Sequence, residues 1–188
     1  IPKTRDEVQE MIHVVKRVNE DEKLPQDERI KLHLVCDKDS SFRQIDISQE
    51  DFDRYVEVDR YFATSGGDIW MQDWGEIAMV STPTEKKEQL FILDTNRARS
   101  TLAELPGTLA RMWNGFYYQK PTPSRTSSGD YGGNIEVTPD GILIVGSTAS
   151  AELQDILARG YAGRTAVLDT SWLQVGHVDE FVTTIPSP

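Results

Sequence analysis

The chain has 188 residues, with 20 basic against 31 acidic side chains and a net charge of −11. That balance argues against nucleic acid and anionic membrane surfaces as partners, since both select basic patches, and it suits cationic ligands, calcium and arginine-rich polypeptides among them. The length fits one domain with a sizeable core, no apolar run approaches the ~20 residues needed to span a bilayer, and one cysteine, Cys36, leaves no intramolecular disulfide and fits a reducing compartment.

Ile1-Pro2-Lys3 opens neither a signal peptide nor a natural start, so the chain is expected to be cut from something longer. Thr4 with Glu7 forms a capping-box pattern, and Val8, Met11, Ile12, Val15 and Val18 recur at helical spacing, which predicts a helix from about residue 4 to 20. Pro25 stops its continuation. Ile30, Leu32, Leu34 and Cys36 then alternate with Lys31 and His33 as in a strand, with Cys36 read as a small core residue. Ser48 is placed to cap a short helix carrying Phe52, Tyr55 and Val56. Gly66-Gly67 breaks the chain before a tryptophan-rich stretch that runs into apolar Ile77 to Val80, and Gln89 to Leu93 reads as a further strand.

A helix is expected over Leu102 to Trp113, interrupted by Pro106-Gly107. Gln119 to Gly133 is polar and rich in Pro, Ser and Gly, a loop of a length that is either functional or disordered. Strands follow at Asn134 to Val137 and Ile142 to Val145, joined by the turn Pro139-Asp140-Gly141. Ser150 to Arg159 reads as a helix closed by Gly160, and Thr165 to Leu168 as a short strand. No internal sequence repeat is evident. Strands alternating with helices predict an α/β fold in one domain over residues 1–188.

Two stretches carry the residue types of a reactive site. In Leu173 to Phe181, His177 and Asp179 lie between apolar Val175, Val178 and Phe181. On a strand these two share a face, where an imidazole beside a carboxylate can hold a cation and move protons. An ordinary ion-paired strand edge fits the same pattern. In Gly67 to Ile77, an extended conformation puts Gln72 and Glu76 on one face and Asp73 on the other. One face can then ligate a hard cation while the other offers a carboxylate. Calcium takes about six to eight oxygen ligands, so two are insufficient, and solvated turn acids are the alternative.

Together the two stretches resemble the catalytic domain of the protein-arginine deiminases. The family's Trp-x-Gln-Asp-x-x-Glu-Ile segment is matched by Trp70, Gln72, Asp73, Glu76 and Ile77, and its Trp-Leu-x-Val-Gly-His-Val-Asp-Glu-Phe segment by Trp172 to Phe181, followed by Pro186 and Pro188. The resemblance runs in order from about residue 4 to the end. It implies part of a five-bladed α/β propeller, the pentein type, with the active site at the central axis. It further implies a calcium-dependent hydrolase that converts protein arginine to citrulline with release of ammonia.

In that reading Asp73 and Asp179 hold the guanidinium, Trp70 stacks on it, and His177 protonates the departing ammonia and then activates water. Arg97 and Arg99 align with arginines that bind the backbone of a peptide substrate. Calcium would be held by Gln72, Glu76, the Gly132 and Ile135 carbonyls and Glu136. A second family calcium site is expected to be absent or weak, since Trp74 and Ala98 stand where ligands would be and Asp94 remains. The nucleophilic cysteine of the family would lie beyond Pro188, on a further segment or chain, and Cys36 matches a structural position instead. The partner implied is an arginine-containing protein or peptide. The alternative is a catalytically inactive module that binds calcium and arginine.

Overall fold

The computed structural model describes residues 2–36, 45–60, 70–81, 84, 88–97, 102–121 and 128–184, which fall into two compact units, Ile1–Gly67 and Asp68–Pro188. Among the described residues no helix is long and apolar enough to cross a membrane.

The first unit is α1 (Pro2–Asp21), β1 (Leu32–Cys36), α2 (Gln49–Tyr55) and β2 (Val56–Arg60). Helix α1 starts at Pro2, so Thr4 lies inside its first turn and not before it. Its stripe buries Ile12 completely while Met11 is exposed, so the apolar face is narrower than the spacing suggests. Asn19, 3% exposed, ends the helix productively: its Nδ2 donates to the Val15 and Ile30 carbonyls and its Oδ1 accepts the Ile30 N–H. Ser48 caps α2 as expected, accepting the Asp51 N–H at 3.1 Å. Val56, expected inside that helix, instead opens β2, which pairs in parallel with β1 from Leu32↔Val56 to Cys36↔Arg60. The side chain of Cys36 lies outside the described residues.

The second unit repeats one motif. β3 (Gly75–Val80) pairs antiparallel with β4 (Gln89–Asp94), α3 (Leu105–Met112) crosses over, and β5 (Phe116–Gln119) pairs with β4 in parallel. β6 (Ile135–Val137) pairs antiparallel with β7 (Ile142–Gly146), α4 (Ala151–Gly160) crosses over, and β8 (Arg164–Leu168) pairs with β7 in parallel. The repeat is one of topology, which explains why no repeat shows in the sequence. Pro106 stands in the first turn of α3, where a missing N–H costs nothing, so it starts the helix and does not interrupt it. The helix closes through Asn114 at φ 52 and a 2.8 Å bond from the Gly115 N–H to the Ala110 carbonyl.

Leu93, Ile135, Leu143, Val145, Ala149 and Leu153 form a buried cluster, with Phe91, Leu157 and Tyr161 packed against it. It joins β4 of the first motif to β6, β7 and α4 of the second. The fold is therefore mixed α/β, as expected.

Two local expectations are corrected. Residues 173–181 are not a strand: a series of turns leads into a 3-10 turn, Val178–Glu180, whose preceding residue is His177. Residues 71–74 are not extended either, but form a 3-10 turn, Met71–Trp74, that runs straight into β3. The first is held by the Glu180 carboxylate, and the second by Thr95, which donates to the Asp73 and Trp74 carbonyls; period-two alternation reports neither.

Candidate active site

The turns, not the strands, assemble the site. Gly176 and His177 donate their N–H groups to Glu180 Oε1, each at 2.9 Å, which fixes the approach to the Val178–Glu180 turn. The Val178 N–H donates to Asn134 Oδ1 at 3.1 Å. Asn134 is fully buried, and its Nδ2 donates to the Gly129 carbonyl at 2.7 Å and to Thr148 Oγ1 at 3.1 Å. One carboxamide thereby links the turns Ser128–Asp130, Gly132–Asn134 and Val178–Glu180.

His177, 3% exposed, is the centre of the resulting cluster. Its Nδ1 lies 3.7 Å from Asp73 Oδ1 and 3.9 Å from Asp179 Oδ1, and its Nε2 lies 2.6 Å from the Ser128 carbonyl. Tyr131 meets the ring edge-on, with centroids 6.2 Å apart. His177 and Asp179 thus meet as expected, by a turn in place of a shared strand face, and Asp73 joins them from the other stretch.

Asp73 is already engaged. Arg97 Nη2 lies 3.1 Å from Asp73 Oδ2, and the Arg97 guanidinium lies over the Tyr131 ring at 5.5 Å. Arg97 is 2% exposed, so its guanidinium is held inside the unit against Asp73 and Tyr131. Arg99 lies outside the described residues. Trp70, 60% exposed, directly precedes the Met71–Trp74 turn.

A row of acids leads away from His177. Burial raises the Asp179 carboxyl, an effect opposed by His177 and reinforced by Asp73 and Glu180. Burial and then Asp179 raise Glu136. Burial and then Glu136 push Glu76 up to about 9. Glu76 Oε1 is buried and meets no hydrogen-bond donor among the described residues. An orphaned carboxylate oxygen beside a second acid is what a bound cation would neutralise.

The other expected ligands are near. Gly132 packs its backbone on the turn that carries Gln72: a Cβ there would stand 2.1 Å from the Gln72 carbonyl oxygen and 2.6 Å from that of Gly75. Ile135, which supplies the expected carbonyl, follows directly and is buried. The donors are two carboxylates with amide and carbonyl oxygens, a hard set that fits calcium better than a soft metal. Among the described residues no three His, Cys, Asp or Glu side chains form a metal cluster. Asp94, the remaining acid of the second expected calcium site, accepts from the Asn96 N–H, Gln119 Nε2 and the Tyr117 hydroxyl, so its oxygens serve protein donors.

Gly133 is a site residue that the motif reading missed. A Cβ there would meet Asp179 Oδ2 at 2.6 Å and His177 Nδ1 at 2.7 Å. The glycine doublet in Gly132-Gly133-Asn134 was its available signal. Two alanine substitutions should therefore differ. Gly133→Ala puts a methyl against the Asp179 carboxylate, which can rotate away, and the held His177 ring, and is expected to lose arginine-peptide affinity with a moderate fall in melting temperature. Gly132→Ala meets two backbone carbonyls and is expected to lower the melting temperature clearly. Equal melting temperatures for the two variants would contradict this packing.

The protein-arginine deiminase (PAD) family model matches residues 53–188, more than half of the chain, and begins later than the resemblance read from residue 4. Among curated proteins, human protein-arginine deiminase type-4 is 29% identical over 143 residues, covering 64% of this chain and 21% of that protein. Its mouse counterpart is 31% identical over 140 residues, with the same shares of 64% and 21%. This chain therefore spans about a fifth of the length of these relatives. A match over most of the sequence, running through both turns that converge on His177, makes the chain a member of the protein-arginine deiminase family.

Proposed function

We propose that the Asp68–Pro188 unit recognises the guanidinium of a protein arginine and, in the whole protein, takes part in its calcium-dependent deimination to citrulline and ammonia. The observation that carries this reading is the convergence of Asp73 and Asp179 on His177 Nδ1 at 3.7 and 3.9 Å, with a guanidinium, that of Arg97, already 3.1 Å from Asp73. A resonance-stabilised guanidinium is hard to attack, and two carboxylates that bind its nitrogens orient the central carbon.

His177 then holds and moves a proton: it gives one to the departing ammonia and takes one from water. Trp70, exposed beside the turn, offers a face for the arginine stem. Arg97 and Arg99 would hold the peptide backbone, which for Arg97 requires leaving Asp73. The covalent step needs a thiolate, the nucleophile that the family resemblance implies. Calcium would be held by Gln72, Glu76, Gly132, Ile135 and Glu136. When bound it would supply positive charge that relieves the repulsion along Glu76, Glu136 and Asp179. The repeated strand–strand–helix–strand motif supports reading residues 75–168 as two blades of a five-bladed propeller.

A second reading, an inactive calcium- and arginine-binding module, is favoured by Asp73 already holding a guanidinium, that of Arg97 at 3.1 Å. An arginine-containing peptide mixed with the protein in millimolar calcium, and again with chelator, separates the two. Calcium-dependent ammonia release supports deimination, and calcium-dependent peptide binding without ammonia supports the module. No binding and no ammonia in either condition would sink both.

A further inference from the structure

We propose that Asp130, clamped by Lys120, is a positioning residue that sets the tautomer of His177 through the main-chain carbonyl of Ser128. A carbonyl oxygen only accepts, so its 2.6 Å contact with Nε2 requires the proton on that nitrogen. The neutral ring therefore carries its lone pair on Nδ1, the atom that faces Asp73 and Asp179. Proton exchange with a substrate between those carboxylates runs through Nδ1. The opposite tautomer would aim an Nε2 lone pair at a carbonyl oxygen.

The Ser128 carbonyl also accepts the Tyr131 N–H at 3.0 Å across the three-residue turn Ser128–Asp130, and Asn134 Nδ2 holds the next carbonyl, that of Gly129. Asp130 adds a charged anchor at the end of the same turn. Its Oδ1 accepts the Ser150 N–H at the start of α4, and its Oδ2 accepts from Lys120 Nζ, both at 2.6 Å. Lys120 in turn donates its N–H to the Asp94 carbonyl and accepts from Asn96 Nδ2, one residue before Arg97. The clamp thus ties the strand end that leads to Arg97 to the turn that faces His177.

Lys120 is 1% and Asp130 2% exposed, and desolvating both charges cancels much of their attraction. A buried pair of this kind contributes little net stability compared with an apolar pair of similar size. Its distinctive product is a defined position for the Ser128 carbonyl. The role of that position in proton transfer rests on the proposed function; the tautomer itself does not.

The test is nitrogen-15 NMR of histidine-labelled protein at a pH where His177 is neutral, with neither calcium nor peptide added. The wild type is expected to show one tautomer, protonated on Nε2. The charge-free pair Lys120→Met with Asp130→Asn is expected to stay folded and to lose the single-tautomer signal, giving a mixture. Lys120→Arg, which keeps the charge pair, is expected to restore it. A wild-type ring protonated on Nδ1 would overturn the proposal, as would an unchanged single tautomer in the folded double variant. If that variant does not fold, Lys120→Gln decides in its place, a mixture supporting the clamp and an unchanged single tautomer overturning it. Failure of ammonia release would count against deimination and leave the tautomer result intact.

Discussion

Asp73→Asn is expected to lower arginine-peptide affinity by on the order of tenfold to a hundredfold and to abolish any calcium-dependent release of ammonia. A hydrogen bond to a charged group contributes about 1.5–3 kcal/mol, and ~1.4 kcal/mol is a factor of ten in affinity. Asparagine keeps the shape and removes the charge, so the loss reports the guanidinium contact and not a cavity. The same substitution should cost stability, because Arg97, 2% exposed, loses the carboxylate 3.1 Å away. About 2 kcal/mol is expected for a pair that is largely but not wholly buried. Adding Arg97→Gln to Asp73→Asn should recover most of that stability and none of the affinity. Calorimetric titration with an arginine peptide, paired with urea melts, measures both effects. Unchanged affinity in Asp73→Asn would remove this carboxylate from guanidinium recognition.

Glu76→Gln should stabilise the protein in the absence of calcium at alkaline pH and remove its stabilisation by calcium. The Glu76 carboxyl, ordinarily near 4.5, is pushed up to about 9 by burial and then by Glu136. The sign follows from linkage: a group whose folded pKa is raised contributes stability that is complete below its unfolded pKa. That stability falls as pH rises from about 4.5 to about 9 and then levels off. At pH 7 to 8 the loss for wild type is on the order of 4 kcal/mol, from ~1.4 kcal/mol per pH unit above about 4.5.

Glutamine does not titrate, so its melts should be flatter across this window, retaining the slope that Glu136 and Asp179 contribute through their own raised values. Calcium reverses the sign for wild type, since a cation favours the ionised carboxylate and displaces its proton. Urea melts at pH 5, 7 and 8.5, with calcium and with chelator, test both halves. Parallel pH profiles for the two proteins would refute the linkage, and equal calcium stabilisation would remove Glu76 from the ligand set.

Much of the secondary structure was legible because it is decided within a few residues. Ser48 and Ser150 cap helices through their own hydroxyls, accepting from Asp51 and Leu153 three residues on. Gly141, at φ 77, turns the hairpin between β6 and β7 where the Pro-Asp-Gly signal placed it. Strand β5 escaped detection because its four residues are all exposed, so nothing in them alternates between core and solvent. Strand β2 escaped because Val56 continues the apolar pattern of the helix before it.

The chemical inventory of the site was also in the sequence: His177, two aspartates, the acids Glu76 and Glu136, and the motifs that point to the family. Their arrangement was not. Ser128 and His177 are 49 residues apart, Val178 and Asn134 are 44 apart, and Arg97 lies 24 residues beyond Asp73, so no local pattern reports that they meet. Periodicity reads both reactive stretches as strands, whereas bonds from Glu180 and Asn134 shape one turn and bonds from Thr95 to the Asp73 and Trp74 carbonyls hold the other. Which donors, acids and helices the chain possesses follows from side-chain chemistry and near-neighbour geometry, and is readable along the chain. That Arg97 turns inward, that Ser128 faces His177 Nε2 and that Lys120 is buried against Asp130 depends on how the two repeated motifs pack around one core, which no short window of residues reports.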